Sequence, residues 1–159
     1  MSAHDFAFTT IGGAPMPLAD FQGKALLIVN TASQCGLTPQ YAGLQALHTE
    51  FSPRGLVVIG VPANDFGAQE PGTEAEIAAF CTSRFAVSFP MTAKETVIGS
   101  AAHPFYRWVV AELGEAAAPR WNFHKYLIGR DGGILGTFGS RMEPRDPALV
   151  QAVEAALEA

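Results

Sequence analysis

Two short apolar runs with a helical stripe between them constrain this chain more than any other feature. Residues 25–32 and 56–61 are strand-length and apolar enough to be buried on both faces. Between them Tyr41, Leu44, Leu47 and Phe51 recur at helical spacing. Thr38-Pro39 reads as an N-cap followed by proline at the first helical position, and Pro53-Arg54-Gly55 stops the helix. Strand, helix and strand at this spacing call for parallel neighbours joined by a right-handed crossover. The loops that leave the C-terminal ends of the two strands then share one sheet edge, the usual ligand edge of an α/β sheet.

The remaining segments extend this frame. Residues 6–18, broken by Gly12-Gly13, read as a short hairpin. Thr73-Glu74-Ala75-Glu76 is a capping box, and the helix it opens buries Ile77, Phe80 and Cys81. A third helix is expected over residues 104–113. Residues 124–128 and 134–138 form antiparallel strands around a turn at 129–133. Asp146-Pro147 caps a last helix with Val150, Val153 and Leu157 inward. The expected fold is a mixed β-sheet flanked by helices, the thioredoxin-like α/β arrangement, in one domain over residues 1–159.

Net charge is −5 with no basic stripe, which argues against nucleic acid and anionic membrane surfaces. The apolar runs are too short to span a bilayer, and residues 1–5 lack a basic segment followed by an apolar one, so no signal peptide is expected. A reducing cytoplasm is the expected location. There the two cysteines, Cys35 and Cys81, are thiols or partners in a transient catalytic disulfide.

Cys35 follows the first buried strand and precedes a helix, where backbone N–H groups and the helix dipole favour a thiolate; Gly36 beside it permits a close turn. Its other reading is a small buried hydrophobe. Gln69, in the amide- and glycine-rich loop 61–72 at the same sheet edge, could donate to a sulfur or a bound oxygen, although the loop could equally be ordinary turn chemistry. Trp121-Asn122 precedes a strand. Its indole and amide hydrogens are donors suited to an anionic sulfur, and core packing is the alternative.

Taken together, the stretches 30–36, 64–72 and 121–123, with Phe89-Pro90 and Ala102-His103-Pro104-Phe105-Tyr106, resemble the glutathione peroxidase family in its cysteine-containing, non-selenium branch. The likeness runs in order along nearly the whole chain. It implies a thioredoxin-like fold and reduction of hydroperoxides. By this resemblance Cys35 is the peroxidatic residue, with Gln69, Trp121 and Asn122 completing a tetrad. It also implies that Cys81, in Phe80-Cys81-Thr82, is a resolving cysteine served by thioredoxin, with glutathione the other candidate reductant. A sulfur on a packed helix is not expected within disulfide reach of Cys35, so the first turns of the Thr73 helix are expected to unwind after oxidation.

The chain departs from the family at Asp65, where glutamine is common, and at Ala63, where many members carry cysteine. Asp65 is expected to face away from the thiol. The segment between the Phe89 region and Trp121 lacks the insertion that forms the subunit contact of tetrameric members, so a monomer is expected. No metal or organic cofactor is expected: His4, His48, His103 and His124 have no ligand spacing. Lys24, Lys94 and Lys125 read as solvated.

Other readings compete. A thiol–disulfide oxidoreductase would usually carry a Cys-x-x-Cys pair that is missing here, and a cysteine hydrolase needs a paired imidazole. A peroxide sensor that relays oxidation to a partner protein would use the same site. A structural adaptor would not need the thiol.

Overall fold

A computed structural model describes all 159 residues. Its centre is a four-stranded sheet in the order β4-β3-β5-β6. β3 (Ala25–Thr31) and β4 (Leu56–Pro62) pair in parallel, with Ala25 opposite Leu56 and Thr31 opposite Pro62. Both strands are buried at every position, as such mostly apolar runs require, and β3 carries polar Asn30 and Thr31 with it. α1 (Gln40–Phe51) makes the crossover and buries Tyr41, Leu44, Leu47 and Phe51. Gly55 ends the turn after it at φ 109°, a left-handed position that glycine adopts at no steric cost. β5 (Lys125–Ile128) runs antiparallel to β3, and β6 (Ile134–Phe138) antiparallel to β5. β1 (Ala7–Thr9) and β2 (Pro15–Pro17) form the separate N-terminal hairpin.

Alternation along the strands divides the core between two faces. Leu27, Val29, Val58 and Leu127 face α1, α2 (Glu74–Phe85) and α4 (Pro147–Glu158). Leu26, Ile28, Ile59 and Tyr126 face α3 (Pro104–Leu113) and the N-terminal hairpin. Helices therefore cover both faces, as expected. The segment around Phe89–Thr92 pairs in parallel with the outer edge of β4 at Gly60, where an added Cβ would collide with the Met91 sulfur.

Four local expectations need correction. In α2 only Ile77 and Cys81 are fully buried, and Phe80 is half-buried. Thr38 is not the N-cap of α1. Pro39 holds that position without a side-chain cap, because the Thr38 hydroxyl is engaged within the preceding turn, accepting from the Cys35 N–H and donating to the Ala32 carbonyl. In α4 the buried residues are Leu149, Val153, Ala156 and Leu157, with Val150 only half-buried. Lys125 is not solvated: it lies on the α1 side of the central sheet with no exposed surface. The capping box at Thr73 is present as expected, with Glu76 N–H donating to Thr73 Oγ1 and Thr73 N–H to Glu76 Oε1.

Candidate functional site

Cys35 lies in a tight turn between β3 and α1. Thr38 N–H donates to the Cys35 carbonyl at 3.0 Å, and Leu37 N–H donates to the Cys35 sulfur at 3.3 Å. The sulfur is thus met by a backbone donor from this turn rather than by the start of α1, which begins at Gln40. Gly36 has open space around it and an ordinary φ, so the turn does not depend on a glycine there. Cys35 is half-buried, and both cysteines are free thiols.

Hydrogen bonds lock the two sheet-edge loops together. Gln34 N–H donates to the Gln69 carbonyl at 3.0 Å, and Ser33 Oγ donates to the Glu70 carboxylate at 3.1 Å. Glu70 is 1% exposed, and burial raises its pKa above the usual carboxylate range. Gly67 and Ala68 both take positive φ, 66° and 51°, and so turn the chain immediately before Gln69. A Cβ on Gly67 would meet Trp121 at 3.1 Å. Asp65 faces away from Cys35: its carboxylate accepts from Val97 N–H at 2.8 Å, beside Lys94 and Thr96.

The third segment is anchored from β3. Asn30 Nδ2 donates to the Trp121 carbonyl at 3.0 Å, and Phe123 N–H donates to the Asn30 carbonyl at 2.6 Å. Phe123 holds a φ of 67° while fully buried, an uncommon backbone position for an aromatic residue. That bend separates two jobs. Trp121 stays 37% exposed, whereas Asn122 is buried and donates from Nδ2 to Gln69 Oε1 at 2.9 Å. With its oxygen engaged, Gln69 keeps its amide hydrogens free, and the Trp121 indole N–H also has no partner within the protein.

An open pocket of about 610 Å³ results, lined by Cys35, Gly36, Leu37, Gln69, Trp121, Ser140 and Arg141. The structure therefore brings Gln69 and Trp121 to the same pocket as Cys35. Asn122 lies behind Gln69 and is not part of the lining. The wall at Ser140-Arg141, in the loop between β6 and α4, was not anticipated from sequence. No motif marks it; it follows from chain path. The expected backbone donor to the sulfur is the Leu37 N–H.

Cys81 is 2% exposed on α2, in the same apolar cluster against which Cys35 and Leu37 pack. Burial pushes its thiol pKa up. The buried Tyr41 hydroxyl lies beside Cys81 and Thr31, and burial raises its pKa well above the ordinary phenol value. A small cavity of about 220 Å³ separates Ser33, Gln34 and Glu70 from Glu76, Ile77 and Phe80 of α2.

Comparison with known proteins agrees with this geometry. The glutathione peroxidase family model matches residues 3–110. The chain is 46% identical to a hydroperoxy fatty acid reductase of Synechocystis sp., over 91% of this chain and 90% of that one. It is 38% identical to the thioredoxin/glutathione peroxidase BtuE of Escherichia coli, with 92% of each covered. The crystal structure of Trgpx in its apo form superposes with a TM-score of 0.80 at 33% identity, over 99% of this chain and 97% of that one. A thiol on a strand-end turn, a pocket it shares with two residues from distant segments and matches along the chain lead to one conclusion: this protein belongs to the glutathione peroxidase family, as a cysteine-containing member.

Proposed function

We propose that the chain, acting over residues 1–159 as one domain, is a thiol peroxidase for hydrogen peroxide and organic hydroperoxides. One observation carries the reading: a half-buried sulfur that already accepts a backbone N–H sits in an open pocket with the free donors of Gln69 and Trp121. The Cys35 thiolate attacks the terminal peroxide oxygen. A sulfur–oxygen bond forms as the oxygen–oxygen bond breaks, so sulfur is oxidised by two electrons to a sulfenic acid. The displaced alkoxide takes a proton from the pocket donors or solvent and leaves as alcohol, or as water from hydrogen peroxide. Asn122 acts through Gln69, holding its amide with N–H toward the pocket. Neutral donors favour the anionic sulfur without competing for its proton.

Cys81 is the proposed resolving cysteine. Its thiol attacks the Cys35 sulfenic acid, expelling water and leaving a disulfide that thioredoxin reopens by exchange, with glutathione the alternative reductant. Cys81 is packed in α2, so the first turns of that helix unwind to release it. The small cavity between the Cys35 loop and those turns supports such a motion. The protein works as a cytoplasmic monomer in this reading. No helix is long and apolar enough to cross a membrane.

Steady-state consumption of several hydroperoxides, each paired with thioredoxin and with glutathione, tests the proposal. Cys35→Ser is expected to abolish consumption. Cys81→Ser should still react once with peroxide but lose thioredoxin-driven turnover. Peroxide treatment followed by non-reducing peptide mass analysis should yield a Cys35–Cys81 peptide; without it Cys81 has no resolving role. Oxidation that stops near stoichiometry until a target protein is added would favour the sensor reading.

A further inference from the structure

We propose that Lys125 is a positioning residue for the Cys35 pocket: its buried ammonium fastens residues 139–142, which carry one pocket wall, to the start of α1, which follows the opposite wall. The inference rests on the peroxidase reading of that pocket. Nζ donates to Gln40 Oε1 at 2.7 Å and to the carbonyls of Met142 at 2.7 Å, Ser140 at 3.2 Å and Gly139 at 3.4 Å. Gln40 closes the network by donating from Nε2 to the same Ser140 carbonyl at 2.7 Å. Gln40, 2% exposed, is the first residue of α1, and its N–H donates to the Leu37 carbonyl. Leu37 in turn donates to the Cys35 sulfur. One ammonium thus links the turn that holds the sulfur to the loop that presents Ser140 and Arg141. It also starts β5, directly after the Trp121–His124 bend.

Economy of stability does not account for this lysine. Its side chain is wholly buried, opposite Val29 in the sheet, and every acceptor around it is neutral. A buried charge without an anionic partner is costly, and an apolar side chain would suit that core better. Burial lowers its pKa to about 8, so it remains largely charged at neutral pH; Glu143 is the acidic group that favours that charge, and burial keeps neighbouring His124 neutral there. What the ammonium supplies is geometry. Its three N–H groups, one of them shared, gather the Gln40 amide oxygen and the carbonyls of Met142, Ser140 and Gly139, which no methyl group could do.

The test uses the full-length protein with Lys125→Met and Gln40→Ala. Trypsin digestion with peptide mapping follows cleavage of the Arg141–Met142 bond. Rate constants for hydrogen peroxide and cumene hydroperoxide are measured in parallel. Loss of the fastening is expected to speed that cleavage by about tenfold, because local opening sets the rate. The ratio of kcat/KM for cumene hydroperoxide to that for hydrogen peroxide should fall about fivefold, a selectivity change that fewer folded molecules cannot produce. An unchanged cleavage rate in a folded variant overturns the proposal, as does an equal loss with both peroxides. Should Lys125→Met not fold, Gln40→Ala carries the same test, since it removes two bonds of the network and leaves the ammonium its backbone acceptors. A parent protein that reduces neither peroxide would defeat the peroxidase reading alone, and the cleavage rate would still decide the fastening.

Discussion

At the scale of single residues, the site is built from unusual backbone as much as from reactive side chains. Gly67, Ala68 and Phe123 all hold positive φ; the first two lead into Gln69, and Phe123 follows Asn122, which donates to Gln69. Gly67 is doubly constrained, by its φ of 66° and by the 3.1 Å that a Cβ would leave to Trp121. Gly67→Ala is expected to cost about 1–2 kcal/mol of stability and to shift the emission of the half-exposed Trp121. Denaturant titration followed by tryptophan fluorescence checks both, with the buried Trp108 as an internal reference. An unchanged spectrum and midpoint would show that the loop relaxes freely. A glycine in this loop is plain in the sequence; that it faces an indole fifty-odd residues away is not.

Among the elements, α2 is the one whose stability bears on chemistry. Its first turn is closed by the reciprocal Thr73–Glu76 bonds, at 3.0 and 3.2 Å. Thr73→Ala should weaken that turn by about 1 kcal/mol. If resolution requires the turn to open, disulfide formation after a peroxide pulse accelerates by about fivefold, RT ln 5 being close to that energy. Quenched-flow alkylation measures this rate. A rate equal to the parent's would mean that Cys81 is reached without unwinding α2. The capping box was legible because its signature is local: two side chains three residues apart. The start of α1 misled for the opposite reason, since Thr38 found partners in the Cys35 turn that a local pattern does not encode.

Across the whole molecule, burial sets how stability responds to acid. His124 packs against Tyr126, its Nε2 lies 2.6 Å from Thr137 Oγ1, and burial, then Lys125 and Arg120, lower its pKa from 6.5 to about 4. The folded protein therefore keeps this imidazole neutral where the unfolded chain protonates it. The contribution is complete above pH 6.5 and is lost as pH falls toward 4, by about 2 kcal/mol after residual solvent access is allowed for. Urea unfolding of the parent and His124→Gln at pH 7, 6 and 5 should show a shallower decline in the variant. Parallel declines would assign the acid sensitivity to other groups.

The crossover, the helix stripes, the hairpin and the segments that carry Cys35, Gln69, Trp121 and Asn122 are all legible along the chain. Apolar periodicity, capping patterns and family likeness are all written along the chain. Folding had to settle that Asn122 donates to Gln69 from behind the pocket, and that Lys125 is buried between Gln40 and the carbonyls of the loop after β6. Those outcomes depend on which donors and acceptors meet when water is excluded. The deciding pairs, Asn122 with Gln69 and Lys125 with Gln40, lie 53 and 85 positions apart, and no local stretch contains both members.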